Sequence, residues 1–356
     1  MSGRLYGVGV GPGDPELLTV RAVRLIREAD VLAYHSGTRG NSIARRIVAD
    51  LIPAGATEEL LAYPVTVGET DHPLGYYGAM EDFYAASAER LAAHLGRGRT
   101  VVVLAEGDPL FYSSYMYLHD RLADRFRCEI VPGVTSVSAV AAAAATPLAR
   151  HEDVLTVLPG TLPVPELTRR LAGTDAAVIM KLGRTFAGVR EALERSGRLG
   201  EALYVERAST GAEMVCPAGE VDPDAVPYFS MIMVPGPDRR LDAAGRASAG
   251  PPRSIPTAGP AGPTGLVVAG LGPGPDPWLT PEVSAALAEV DHVVGYGPYV
   301  DRVPERPGLT RHTSGNTVEL DRARLALDLA RSGQRVAVVS GGDAGVFGMA
   351  AAVFEA

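Results

Sequence analysis

Leu5-Tyr-Gly-Val-Gly-Val-Gly-Pro-Gly13 decides how this chain is read, because the chain spells it twice. The pattern returns as Leu266-Val-Val-Ala-Gly-Leu-Gly-Pro-Gly274 at an offset of 261, and Thr19 falls on Thr280 at the same offset. Gly107-Asp108 and Gly342-Asp343 recur in the same order at an offset of 235, so the first copy carries 26 more residues between its two loops. Two elements repeated in order point to duplication of a whole module.

Each run is a short apolar stretch ending in glycines, the pattern of a buried strand entering a tight turn. Arg4 to Val10 is the first strand, and Gly11-Pro-Gly-Asp-Pro the turn. Thr19 then opens an amphipathic helix from Val20 to Glu28. Val31 to Tyr34 reads as a second strand, Ser42 to Leu51 and Met80 to Leu95 as helices, and Thr100 to Ala105 as a fully buried strand closed by Glu106-Gly-Asp-Pro. Glu129-Ile-Val runs into Pro132-Gly-Val-Thr-Ser and an alanine-rich helix to Ala145. Alternating strands and helices predict a parallel, Rossmann-like α/β sheet.

After Pro147 the texture changes. Val154 to Leu158, Ala176 to Met180, Ala202 to Val205 and Phe229 to Val234 read as four strands, with helices at Glu166 to Leu171 and Phe186 to Arg195. Pro235 to Pro263 is rich in Gly, Pro, Ala and Ser without periodicity, the composition of a flexible linker. The expected organisation is an N-terminal α/β domain at 1–147, a mixed-sheet α/β domain at 148–236, a linker at 237–264 and a partial second N-terminal α/β domain at 265–356.

A hydrophobic share of 46% with 21% charged residues is that of a folded globular chain. Net charge of −9 argues against nucleic acid, and an anionic ligand would have to be met by local Arg and Lys. Two cysteines are too few for a disulfide framework or a thiolate metal site. No apolar run approaches the ~20 residues of a membrane span, and no signal-peptide pattern opens the chain. A cytoplasmic protein is expected.

Three loops carry the candidate chemistry. Gly7-x-Gly9-x-Gly11-Pro-Gly13 lets backbone approach a ligand closely, or is simply a tight strand–helix connection. It departs from a dinucleotide fingerprint, because Pro12 and Pro15 stiffen the turn and the next strand ends in Tyr34-His35 where a ribose-binding acid would stand. Asp108, at the carboxyl end of a buried strand, could accept from ribose hydroxyls or cap the following helix. Thr135 or Ser136 could cap the alanine-rich helix, whose free N–H groups also suit a carboxylate. Lys181 and Arg184 end a strand as two cations, and Phe111-Tyr-Ser-Ser-Tyr-Met-Tyr117 is a packed helix face or the wall for a flat ligand. Walker, zincin, Cys/His and serine-elbow motifs are missing from the sequence.

Three such loops followed by a second α/β domain resemble the tetrapyrrole methylase family over about residues 3 to 236. Gly68-Glu-Thr-Asp-His-Pro, Leu104-Ala-Glu-Gly-Asp-Pro-Leu-Phe-Tyr, His151-Glu-Asp-Val-Leu-Thr-Val-Leu-Pro-Gly-Thr and Tyr204-Val-Glu-Arg-Ala resemble its precorrin-2 C20-methyltransferase branch. The tail, through Gly295-Tyr-Gly-Pro-Tyr and Ser340-Gly-Gly-Asp-Ala-Gly-Val-Phe-Gly-Met, resembles the start of its precorrin-3B C17-methyltransferase branch. It shows no counterpart of the third loop or second domain, so it is not expected to catalyse unaided.

The resemblance implies S-adenosylmethionine as methyl donor, with S-adenosylhomocysteine as product and no metal. Its contacts would fall at Pro12, Glu106, Gly107, Asp108, Phe111, Thr135, Ser136, Met180, Ala208, Ser230 and Met231. The acceptor would be a carboxylate-rich tetrapyrrole of cobalamin synthesis, precorrin-2 going to precorrin-3A, or its cobalt-bearing equivalent. Arg39, Arg45, Arg150, Lys181 and Arg184 are the candidate grips for its carboxylates. His35, Glu106 and His151 are candidate bases for an optional proton transfer. A homodimer, with other enzymes of the pathway as further partners, is the expected assembly. A nicotinamide-dependent oxidoreductase and a non-catalytic scaffold that passes intermediates on are the readings from other classes.

Overall fold

Arg4–Gly9 forms strand β1 in the computed structural model of the chain, buried at every residue after Arg4. The structure describes residues 2–37, 40–65, 70–237, 239–241, 247–249, 265–274, 279–315, 318–345 and 348–355. Contacts divide the chain into two units, Met1–Ser136 with Pro277–Pro281, and Val137–Asp276 with Glu282–Ala356.

In the first unit β1 is followed by α1 (Val20–Arg27), β2 (Val31–Ser36), α2 (Ile43–Ile47), β3 (Thr57–Ala62), α3 (Gly75–Gly96), β4 (Thr100–Ala105), α4 (Tyr115–Leu122) and β5 (Arg127–Val131); α5 (Ser136–Ala143) begins at its end. All five strands are parallel in the order β3-β2-β4-β1-β5. Successive strand residues serve opposite faces. Leu5, Val101 and Val103 pack under Leu91 and Leu95 of α3 and Tyr115 and Leu118 of α4. Tyr6, Val8, Val102 and Leu104 pack with Leu25 and Ile26 of α1. The Thr19 hydroxyl caps α1 by accepting from Ala22 N–H at 3.1 Å, and Ser42 caps α2 by accepting from Arg45 N–H at 3.3 Å.

β3 has no apolar run to announce it. Thr57-Glu-Glu-Leu-Leu-Ala lies at the sheet edge with alternating exposure, and its acids are neutralised laterally. Glu58 accepts from Arg45 at 2.6 and 2.9 Å and from the Tyr34 hydroxyl at 2.7 Å. Glu59 is held by His94 at 2.9 Å and by Arg90.

The second unit contains a mixed sheet of β6 (Leu155–Pro159), β7 (Ala176–Met180), β8 (Leu203–Glu206), β9 (Met214–Pro217) and β10 (Ser230–Val234). Its order is β6-β7-β10-β8-β9, with β6 and β7 parallel and the other pairings antiparallel. The sequence announces four of these strands; β9, the four residues Met-Val-Cys-Pro, is too short to stand out. Helices α6 (Val164–Ala172) and α7 (Phe186–Arg195) cover it through Leu167, Leu171, Phe186 and Val189. Much of the expected linker lies outside the described residues, apart from a short antiparallel pair, β11 (Arg239–Leu241) and β12 (Ala247–Ala249).

The repeat is structural as well as textual. β13 (Leu266–Gly270), α8 (Pro281–Glu289), β14 (His292–Tyr296), α9 (Gly297–Val300), β15 (Thr310–Ser314), α10 (Glu319–Arg331), β16 (Val336–Ser340) and α11 (Met349–Glu355) follow one another in order. Their sheet order β13-β16-β14-β15 repeats β1-β4-β2-β3. In both copies the two loops meet in an isolated backbone bridge, Gly11 to Gly107 and Gly272 to Gly342. A Cβ on Gly9 would stand 2.6 Å from Gly107 O, and one on Gly270 2.6 Å from Gly342 O. β1 is flanked on both sides, whereas β13 has one partner among the described residues and is correspondingly less buried.

Gly7 differs, because its counterpart is Val268. A Cβ on Gly7 would lie 2.3 Å from the Tyr115 ring, which is fully buried beneath β1. Gly7→Ala therefore overpacks the first core and should cost about 1–3 kcal/mol, read as a lower urea midpoint. An unchanged midpoint would show that the ring is free to move aside.

Candidate functional site

The carboxyl ends of β1, β4 and β5 converge in the first unit, where parallel α/β sheets carry their ligands. Val10 N–H donates to Ala105 O at 2.9 Å and Gly107 N–H to Gly11 O at 2.8 Å. Gly11 and Gly107 have φ of 73° and 64°, left-handed values that suit glycine. The third loop is drawn in by Asp108, which accepts from Gly133 N–H at 3.1 Å through Oδ2 and from Leu110 N–H at 2.9 Å through Oδ1. A Cβ on Gly133 would meet Gly107 O at 2.1 Å. Three loops distant in sequence thus form one backbone-lined cradle. Asp108 thus turns its own loop and latches another; the following helix begins only at Tyr115 and is not capped by it.

Pro12, Gly107, Asp108, Phe111, Thr135 and Ser136 all lie on these loops or at the start of α5, each partly accessible. Gly107 faces that start, since a Cβ there would be 3.9 Å from Ser136 N and Thr135 Cα. Glu106 retains solvent exposure, yet desolvation by the protein around its carboxyl raises its pKa, opposed by a hydrogen bond from the Ala44 backbone and by the charge of Arg46.

In the second unit, Met180, Ala208, Ser230 and Met231 gather at one end of the mixed sheet. Ser230 pairs with Glu206 in register, and Ile232 with Ile179. Ser230 and Met231 are buried, and the Ser230 hydroxyl donates to Pro227 O at 2.6 Å. The turns leaving β7 and β8 pass through left-handed non-glycine residues: Lys181 at φ 60°, Arg207 at 48° and Ser209 at 63°. Each such residue costs of order 1 kcal/mol or more, and such strain concentrates at ligand clamps.

The expected carboxylate grips separate. Lys181 and Arg184 stand at the end of β7, the latter exposed. Arg45 instead spends its guanidinium on Glu58, which raises its own pKa and lowers that of Glu58. Arg150 is 4% exposed, an interior cation rather than a rim one. Arg39 lies outside the described residues. Arg207, exposed at the end of β8, is a cation closing a strand, the same signal that marks Lys181 in the sequence.

Of the candidate bases, His151 is exposed in a left-handed turn at φ 45°. His35, at the end of β2, is boxed by aromatic rings. It stacks on Tyr63 with centroids 5.4 Å apart and lies 6.1 and 6.4 Å from Phe83 and Tyr84. Ser114 fixes the box by hydrogen bonds with the Tyr63 and Tyr84 hydroxyls at 2.5 and 3.0 Å. His35 Nε2 is buried without a hydrogen-bond partner among the described residues, and desolvation pushes its pKa down to about 4.

Residues 4–222 and 265–356 match the family described as Tetrapyrrole (Corrin/Porphyrin) Methylases. The chain belongs to that family. It is 57% identical over 353 residues to cobalamin biosynthesis protein CobIJ of Mycobacterium tuberculosis, a match covering 99% of this chain and 66% of that protein. The chain therefore spans about two thirds of the length of that relative. Two Sinorhizobium proteins divide it. Precorrin-2 C(20)-methyltransferase is 52% identical over 235 residues, 66% of this chain and 96% of that protein. Precorrin-3B C(17)-methyltransferase is 52% identical over 91 residues, 26% of this chain and 36% of that protein. The solved structure of a cobalt precorrin-4 methyltransferase, CbiF, superposes with a TM-score of 0.51 at 26% identity, covering 65% of this chain and 94% of that one. No described helix is long and apolar enough to cross a membrane.

The His35 box yields a pH prediction. A histidine whose folded pKa falls from 6.5 to about 4 contributes its full stability above pH 6.5 and loses it as pH falls towards 4. Wild type should lose up to about 3 kcal/mol more than His35→Phe between pH 7 and 4. Parallel stability curves for the two proteins would refute the neutral buried imidazole.

Proposed function

We propose that residues 4–236 form an S-adenosylmethionine-dependent methyltransferase that converts precorrin-2 to precorrin-3A by methylation at C20. The observation that carries this is the three-loop cradle. A Cβ at Gly9 or Gly133 would strike backbone at 2.5 or 2.1 Å, so the three loops pack backbone against backbone at the carboxyl ends of the strands, where parallel α/β sheets bind their ligands. The 52% identity over 235 residues to precorrin-2 C(20)-methyltransferase supports the substrate and the position.

The cofactor, when bound, supplies a methyl group on a positively charged sulfonium. Pro12, Gly107, Asp108, Phe111, Thr135 and Ser136 of the first unit would hold it. The chain's task is alignment of an electron-rich meso carbon with the methyl group. Well-oriented reactants can lower a barrier by roughly 7–11 kcal/mol. Lys181 and Arg184 would receive substrate carboxylates. Glu106, on the cofactor loop and with a raised pKa, is suited to accept the meso proton.

The tail repeats two loops of the cradle and belongs to the same family. Its likeness to precorrin-3B C(17)-methyltransferase makes a neighbouring methylation its natural chemistry. No turnover is assigned to residues 265–356 by themselves.

Incubation with precorrin-2 and methyl-labelled S-adenosylmethionine should place one label at C20 by NMR, and a label at any other carbon would overturn the position. Asp108→Ala, which unlatches the third loop, should weaken S-adenosylhomocysteine binding at least tenfold (~1.4 kcal/mol) by calorimetry. Unchanged affinity would remove Asp108 from the cofactor site.

A further inference from the structure

We infer that Arg207, oriented by the buried carboxylate of Glu206, is a further substrate-recognition residue that grips a carboxylate of the macrocycle. This deepens the methyl-transfer reading and rests on it.

Tyr204-Val-Glu-Arg-Ala208 closes β8, and its side chains form a directed chain of contacts. Tyr204 is 1% exposed and Glu206 9%. The Tyr204 hydroxyl donates to Glu206 Oε2 at 2.8 Å, and Glu206 Oε1 pairs with Arg207 Nη1. A carboxylate this deeply buried needs such partners. One guanidinium nitrogen is thereby committed. A guanidinium has five N–H donors, and the Arg207 side chain stays 48% exposed, so donors remain for a second carboxylate. An arginine held by one acid and presented to another combines charge with fixed direction.

Position supports the same assignment. The order β7-β10-β8 sets the ends of β7 and β8 two strand spacings apart, roughly 10 Å. Continuing the β7–β10 register brings Lys181 level with Ser230, which pairs with Glu206 from the other side. Two cations, Lys181 and Arg207, each in a left-handed conformation, thus flank one strand end. That is a geometry for an acceptor bearing several carboxylates.

The fold does not require the side chain to shape the turn. Arg207 N–H donates to Phe229 O at 2.9 Å, and Arg207 O accepts from Thr210 N–H at 3.1 Å and from the Thr210 hydroxyl at 2.8 Å. These are backbone groups of residue 207 and survive substitution. Asparagine tolerates the left-handed region, so Arg207→Asn removes the charge with little strain.

The test compares Arg207→Asn, Arg207→Lys and Glu206→Gln with wild type, in the full chain. Arg207→Asn should raise KM for precorrin-2 at least tenfold, with kcat and calorimetric S-adenosylhomocysteine affinity within twofold of wild type. Arg207→Lys should recover part of the loss, and Glu206→Gln should fall between. An unchanged KM in Arg207→Asn overturns the proposal, as does an equal loss of S-adenosylhomocysteine affinity, which would place Arg207 in the cofactor's support. Binding of uroporphyrin, a fluorescent polycarboxylate tetrapyrrole, separates this from the parent reading. Wild type that binds uroporphyrin more tightly than Arg207→Asn but never methylates precorrin-2 sinks the reaction and spares the grip.

Discussion

A pair of glycines facing each other across two loops sets the terms for the first module. The backbone of Gly107 reaches Gly11 at 2.8 Å, and neither residue could carry a side chain in its left-handed conformation without strain. Asp108, next in sequence, can then reach Gly133 only because the second loop is already pinned. The sheet order follows from the same requirement. β4 must lie beside β1 for their loops to touch, and β5 must lie on the other side of β1 for the third loop to arrive. The recurrence of this bridge at Gly272 and Gly342, in a sheet of the same order, argues that loop contact and strand order are one constraint.

The second unit solves a different problem. Its mixed sheet ends in turns that pass through Lys181, Arg207 and Ser209 in a conformation other residues would adopt more cheaply. Strain of this kind persists where the surroundings over-determine it. Here the Phe229 and Thr210 contacts and the buried Glu206 do so around Arg207. Charge is thus placed by backbone shape in one unit, whereas close approach is obtained by leaving side chains out in the other.

Most of the architecture was legible because it depends on local pattern. β4 is an uninterrupted apolar run with the bounds expected of it, Thr100 to Ala105. The repeat was visible in the positions of Gly and Pro. What escaped depends on partners far along the chain. β3 looks like a charged loop until Arg45, Arg90 and His94 are brought to its two glutamates. β9 declares itself only by pairing with β8. Among the candidate site residues, the positions that share the loops were legible because glycine and proline advertise backbone geometry. The cations were less so, because an arginine's letter does not reveal its neighbour: Arg45 faces Glu58 and Arg150 is buried.

The difference between Gly7 and Gly9 has a wider consequence. Gly9 is kept in the second copy as Gly270, where a neighbouring loop leaves no room, while Gly7 has become Val268. Two glycines a residue apart are therefore answerable to different authorities, one to the shared loop crossing and one to a single tyrosine on α4. Drift can erase the second kind whenever its ring is replaced, but not the first. A descendant of this module could lose nearly every letter around the crossing and still be recognised, provided the empty positions stayed empty.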